Sequence, residues 1–381
     1  MWARWSPVTL HHAISVPKEV DSLALGTHDG RPMIVSGGRD ATVQVWDLAS
    51  GAPRGKPLRG HEGPVAVGML NGRSMIISGG RDATVRVWDL ASDAPHGEPL
   101  LGHKGEVNSV AVGTLKGRPV IVSGGADATV RVWDLASGKP RGKPLRGHKG
   151  EVTSLALGTL GGRPVIVSGG RDETVRVWDL ASGKLEGKPL RGHQGGVRSV
   201  ALGTFGGWQE AVIASCTYDK TLRVWYLAKD TPPQGSPTSH IDDVYSVAVG
   251  ALEDRPVLVS GGWDGTVRVW DLASGTRREL RGHEGFVRSI ALGTFDGRPV
   301  IASSGLDERL RVWDLAANTP QDVPTSNHKG NVNSVAVGTL EGRLLIVSGG
   351  MTQRHGSGTS IRARCAASRW AATREWCGRS R

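Results

Sequence analysis

A thirteen-residue unit, Ser123-Gly-Gly-Ala-Asp-Ala-Thr-Val-Arg-Val-Trp-Asp-Leu135, recurs along most of the chain. Near-copies begin at Ser36, Ser78, Ser168, Ser215, Ser260 and Ser303. The tryptophans of the seven copies, Trp46, Trp88, Trp133, Trp178, Trp225, Trp270 and Trp313, are separated by 42, 45, 45, 47, 45 and 43 residues. A period of about 40–45 residues ending in Trp-Asp signals a propeller blade of four short strands. Such a repeat buries its apolar faces only against its neighbours, so 381 residues make one array rather than several independent domains.

Within one repeat the strands read in order. Val107–Val112 is β-branched and innermost, and Leu115–Arg118 makes the hairpin turn. Pro119–Ser123 is apolar without alternation, which suits a strand covered on both faces. Gly124–Asp127 turns the chain into a third strand, Thr129–Leu135. Lys143–Arg146 is a short outer strand that tolerates Pro144 because it lies at a sheet edge.

The two ends bear on closure of the ring. Pro7–His11 reads as an outer strand ahead of the first repeat, able to pair with a blade formed at the far end and so remove an open edge. Residues 332–348 open an eighth repeat, and the pattern stops after Gly350. The expected organisation is therefore a propeller over residues 1–350 and an unstructured segment over 351–381. That segment holds seven Arg and one acid. Its codons are compatible with a shifted frame that restores Asp at 352, Trp at 358 and His at 373, the positions set by the period. A frameshifted tail without selected function is the expectation, and a genuine Arg-rich binding tail is the alternative.

Gly-His, then Ser-Gly-Gly-x-Asp, then Val-x-Val-Trp-Asp resembles the WD-repeat β-propeller family, over residues 5–350. The near-identical copies resemble bacterial repeat arrays, often fused to ATPase, kinase or protease domains. The resemblance implies an all-β propeller of four-stranded antiparallel blades, seven in number, with an eight-bladed ring or a fragment of a longer array as the alternative. It also implies a hydrogen-bonded His–Ser–Asp–Trp set in each blade. The sets would be His61/Ser78/Asp82/Trp88, His103/Ser123/Asp127/Trp133, His148/Ser168/Asp172/Trp178, His193/Ser215/Asp219/Trp225, His240/Ser260/Asp264/Trp270 and His283/Ser303/Asp307/Trp313. The first repeat carries Ser36, Asp40 and Trp46, with His11 as a displaced fourth member. The fifth departs most, since Tyr226 replaces the Asp after Trp225.

Ser, His and Asp together also suggest a hydrolase. A catalytic site occurs once, whereas this constellation recurs in blade after blade, so its role is structural. No nucleophile elbow, phosphate loop or metal cluster appears, and no catalytic residue, metal or cofactor is expected. The net charge of +11 shrinks to +5 once residues 351–381 are set aside, which disfavours nucleic acid. Three cysteines, no signal-like N-terminus and no long apolar run point to a cytoplasmic protein that crosses no membrane.

If the blades are alike, function lies where they differ. The residue before each tetrad Asp is Arg39, Arg81, Ala126, Arg171, Tyr218, Trp263 and Leu306 in turn. At the start of the innermost strands stand Gly196/Arg198, Asp243/Tyr245 and Phe286/Arg288. Arg39, Arg81, Arg171, Arg198, Tyr218, Tyr245, Trp263, Phe286, Arg288 and Leu306 thus form a candidate partner-binding face. Its aromatic part, in blades five to seven, has the composition of a protein interface. The expected function is a non-enzymatic interaction scaffold or sensor in a signalling assembly, a monomer or part of a larger array. Alternatives are an enzyme using the central pocket and a nucleic-acid-binding propeller.

Overall fold

The computed structural model describes residues 9–365 apart from 17–19, 29–30, 39, 48–49, 51, 91, 93, 205–210, 228–241, 253–254, 296–297, 315–319, 324–330, 341–342 and 353–357. Every element among the described residues is a strand. The third blade shows the plan: Val107–Leu115, Arg118–Gly125, Thr129–Asp134 and Leu145–Arg146 pair antiparallel in sequence order. Val110 pairs with Ser123, Ser123 with Arg131, and Ile121 with Trp133, and the same register recurs from blade to blade. Val120, Ile121 and Val122 are fully buried, as a strand covered on both faces requires.

The core is a series of layers between blades. Val120, Val122, Val130 and Val132 of the third blade pack against Val152, Ile166 and Trp178 of the fourth. Met75, Ile77, Val85 and Val87 of the second pack likewise against Val107, Ile121 and Trp133 of the third. The tryptophans of blades two to seven thus seal the layer toward the preceding blade. Glycine lets the blades approach this closely: a Cβ on Gly124 would stand 2.6 Å from Val152 Cγ1.

Among the described residues the seven repeats form seven sheets and an eighth sheet stands beside them, so the ring takes the eight-bladed form of the two expected. The eighth sheet joins Val332–Leu340, Arg343–Thr352 and Gly358–Cys365 to the N-terminal strand Thr9–Val16, which is its outer member. Residues 351–352 and 358–365 are thus part of the ring, where the sequence predicts no structure beyond 350. The reason is geometric: an unpaired edge on Arg343–Thr352 would leave a row of backbone groups without partners, and Gly358–Cys365 supplies them. Thr352 and Gly358, where a shifted frame would set Asp and Trp, face each other at the end of that hairpin. Residues 353–357 and 366–381 lie outside the described residues.

The outer strand of this sheet runs further along the chain than Pro7–His11, with Val16 opposite Thr359 and Thr9 opposite Cys365. The ring then closes on the first blade. Asn333 Nδ2 donates to the Val20 carbonyl at 3.4 Å, and a Cβ on Gly349 would lie 2.8 Å from Val20 Cγ1.

Candidate functional site

The tetrads hold the loops that build one face of the ring. In the third blade His103 Nδ1 is 2.9 Å from Asp127 Oδ1 and Nε2 is 2.8 Å from Ser123 Oγ, to which Trp133 Nε1 donates at 2.9 Å. Trp N–H can only donate, so the serine hydroxyl passes its own hydrogen to Nε2, and the Nδ1 proton goes to the carboxylate. Each contact then has one donor and one acceptor. His148/Asp172/Ser168/Trp178 and His283/Asp307/Ser303/Trp313 repeat the geometry at 2.8 Å throughout. In the fifth blade the His193–Asp219 contact lengthens to 3.3 Å, with Ser215 and Trp225 in place.

Other blades depart from this pattern. In the second, the His61 ring is turned over: Nδ1 meets Ser78 Oγ at 2.7 Å and Nε2 meets Thr84 Oγ1 at 2.7 Å, with Asp82 at 3.4 Å and Trp88 on Ser78. In the sixth, His240 lies outside the described residues; Trp270 donates to Ser260 at 3.3 Å, and Asp264 takes an ion pair with Arg268 at 2.7 Å. In the first, Trp46 donates to Ser36 at 3.0 Å and Asp40 accepts from Thr42.

Sequence reasoning missed a fifth member, the threonine two residues after the Asp. Thr42, Thr84, Thr129, Thr174, Thr221 and Thr266 all bond their Asp Oδ1. The Asp-x-Thr spacing was the signal for it, and Arg309 breaks it in the seventh blade.

Burial pushes the imidazoles of His61 and His193 down to about 4, although their Asp partners oppose this. The carboxylates move the same way for a different reason. Burial raises Asp219, but the hydroxyls of Thr217 and Thr221 and the Gln194 N–H outweigh it and hold the group at about 2. Ser123, Ser168, Ser215 and Ser303 are fully buried and already occupied by His and Trp, so none can attack a substrate.

A β-bulge shapes the face above. At the start of each innermost strand, except in the second blade, one residue is left without a ladder partner. A bulge re-aims the side chain it carries. In the third, fourth and eighth blades that side chain latches onto the next blade. Asn108 Nδ2 donates to the Val152 carbonyl at 3.1 Å, Thr153 Oγ1 to the Val197 carbonyl, and Asn333 to that of Val20. In the fifth, sixth and seventh blades the bulged residues are Arg198, Tyr245 and Arg288.

These three blades carry a continuous aromatic cluster. Tyr218 meets Tyr245 edge-on at 5.8 Å between centroids. Tyr245 stacks on Phe286 at 5.3 Å, and Phe286 on Trp263 at 4.6 Å. Arg198 lies over both tyrosines, 5.2 Å from Tyr218 and 4.6 Å from Tyr245. Two of the three Tyr and one of the three Phe residues in the chain are spent here. Tyr218 and Trp263 are nevertheless about half exposed, at 48% and 47%. The Trp263 N–H is fixed by the Asp243 carbonyl at 2.8 Å, and the Leu306 N–H by that of Phe286 at 3.1 Å. Burial raises the Tyr245 hydroxyl's pKa, as does Tyr218, while Arg198 and Arg288 pull it back down.

The remaining members of the predicted face sit apart. Arg81 pairs with Glu62 at 3.2 Å and Glu106 at 3.7 Å, and Arg171 with Glu151 at 3.2 Å. Arg39 lies outside the described residues. Beside Arg81 a cleft of about 320 Å³ opens between Asp21, Glu62, Pro64 and Asn108. It lies at the second blade, the one blade whose innermost strand, Val65–Leu70, begins without a bulge.

A family model described as "WD domain, G-beta repeat" matches residues 8–47, 53–89, 97–134, 138–179, 183–226, 232–271 and 275–314, more than half of the chain. Over 79 residues the chain is 38% identical to the peroxisomal targeting signal 2 receptor of Mus musculus, covering 20% of this chain and 25% of that protein. Over 69 residues it is 35% identical to the small ribosomal subunit protein RACK1 of Glycine max, covering 17% and 21%. The chain thus spans a quarter or less of the length of these curated relatives. The crystal structure of the computationally designed Ika8 protein matches with a TM-score of 0.71 at 26% identity, over 93% of this chain and 99% of that one.

Proposed function

The chain belongs to the WD domain, G-beta repeat family, and from that premise we propose that it is a non-enzymatic protein-interaction scaffold whose partner docks on the aromatic arc of blades five to seven. One observation carries the reading. Tyr218, Tyr245, Trp263 and Phe286 gather most of an interface's usual aromatic anchors at one place, and two of them stay half exposed. The bulge positions support it, because there alone three successive blades replace or give up an inter-blade latch residue for Arg, Tyr and Arg. The tetrads below position the loops and take no part in chemistry. Service in a signalling assembly and a cytoplasmic setting belong to the same proposal.

A photo-crosslinking amino acid at Tyr218 tests the docking face, with Lys116, exposed in a turn between innermost and second strands, as the control. In a lysate of the source cells, a discrete protein adduct is expected at Tyr218, absent at Lys116 and lost when Trp263→Ala is added. Equal labelling at both positions would refute the reading.

A further inference from the structure

We infer that the segment received by this arc is acidic: a partner peptide that sets a carboxylate between Arg198 and Arg288 and lays an apolar side chain on Trp263 and Phe286. The inference rests on the reading that the arc is a docking face, and it adds the chemistry of what docks there.

The argument is one of unspent charge. Elsewhere on the face the exposed arginines are answered from within the chain, Arg81 by Glu62 and Glu106, Arg171 by Glu151. Among the described residues no carboxylate comes within ion-pair distance of Arg198. It stacks on Tyr218 and Tyr245 and donates to the Tyr218 hydroxyl. Stacking engages the face of a guanidinium, and the N–H groups of Arg198 not given to Tyr218 remain to meet a carboxylate. It also holds the side chain still before a ligand arrives, which lowers the entropy cost of binding. Arg288 occupies the equivalent bulge two blades on, two residues after Phe286. Tyr245 stands between them, close enough to both for each to favour its ionised form. Two like charges carried by the blades that flank Tyr245 call for an anion between them.

The platform limits which anion. Trp263 and Phe286 stack on one another rather than standing apart, so they offer a surface to lie on and not a slot for a base to enter. The border carries Asp242 and Asp243, and burial together with Asp242 raises the Asp243 carboxyl. A strand of evenly spaced phosphates leaving the two arginines would run against these groups and against Glu62 and Glu106 further round. A peptide with one or two acids beside an apolar residue would not.

The test uses the full chain and three probes in fluorescence anisotropy: a labelled, end-capped Ser-Glu-Phe-Asp-Ser peptide, the same peptide with Lys for each acid, and an oligo(U) of five nucleotides. The acidic peptide is expected to bind, to weaken as salt rises, and to lose about tenfold in affinity in either Arg198→Gln or Arg288→Gln. Lys116→Gln, which removes the same charge on the opposite face, leaves affinity unchanged. Melting curves confirm that the variants are folded. The inference is overturned if the basic peptide or the oligo(U) binds more tightly, if the Arg variants bind like the parent chain, or if no probe binds saturably. Should the acidic peptide fail while the Tyr218 adduct persists, the docking face stands and the acidic chemistry is wrong; should both fail, the face is wrong as well.

Discussion

Trp263 and Phe286 stack with ring centroids 4.6 Å apart and planes 19° apart, although they stand on different blades. The contact joins the two sheets on the surface, where Trp263 is half exposed, and not in the layer between them. Trp263→Ala is therefore expected to separate binding from stability. Partner capture should fall about thirtyfold, the weight of a hot-spot aromatic of about 2 kcal/mol. Stability should fall by about 1 kcal/mol or less, the worth of one aromatic pair. Calorimetric titration with the captured partner and thermal melting of the free chain check the two halves.

Ser123 is the opposite case. Its hydroxyl serves both His103 and Trp133 and is fully buried. Ser123→Ala leaves two buried groups without partners, at about 1–3 kcal/mol each. The denaturation midpoint should drop markedly, whereas Ser137→Ala, on an exposed loop, should change stability by about 0.5 kcal/mol or less. Equal effects would show that the tetrad does not hold the loops.

Acid should loosen the ring in a defined window. The imidazoles of His61 and His193 sit at about 4 in the folded chain and at the ordinary 6.5 when unfolded. Between those values the unfolded chain binds protons that the folded one does not, so stability rises with pH across the window. It is fully present above 6.5 and is lost as pH falls toward 4. Asp219, held at about 2, adds a further loss below its ordinary value of 3.8. Melting temperature should fall steadily from pH 6.5 to 4, and His193→Gln should make that slope shallower.

The latches predict a split along the bulge positions. Asn108→Ala removes the bond to Val152 and should cost about 1 kcal/mol of stability without touching binding. Arg198→Gln should weaken binding at little cost to the melting temperature, since its contacts are to surface rings, Tyr218 exposed and Tyr245 partly buried. Paired melting and anisotropy measurements on both variants would expose any mixing of the two roles.

Closure of the ring is tested at Gly349. An added methyl would press on Val20 of the first blade at 2.8 Å, much as one at Gly124 would press on Val152. Overpacking of this kind costs about 1–3 kcal/mol. Gly349→Ala and Gly124→Ala should therefore destabilise alike in urea; a harmless Gly349→Ala would mean that the eighth and first blades do not meet.

The fold was legible because Ser, Asp and Trp keep one spacing from copy to copy, and that spacing reports the Trp-to-Ser bond found in all seven repeats. The number of blades was harder to read. In the eighth sheet the residue opposite Ile346 is Arg364, at the register where Ile301 faces Trp313 in the seventh. A strand can satisfy backbone groups with almost any side chains, so its pairing left no repeat to recognise. The aromatic arc was visible as a set of odd residues at equivalent positions, and the structure brings Tyr218, Tyr245, Trp263, Phe286 and Arg198 together. What the chain did not reveal is the bulge. Asn108 and Thr153 look like ordinary polar residues opening a strand, and their reach to the next blade depends on a backbone kink that no residue type announces.

The strands Thr9–Val16 and Gly358–Cys365 are hydrogen-bonded neighbours in one sheet. Joining the two ends with a short linker and reopening the chain at another turn, such as the one at Lys116, would leave every sheet with the neighbours it has now. The blades have an order along the gene, but the circle they make has no first member.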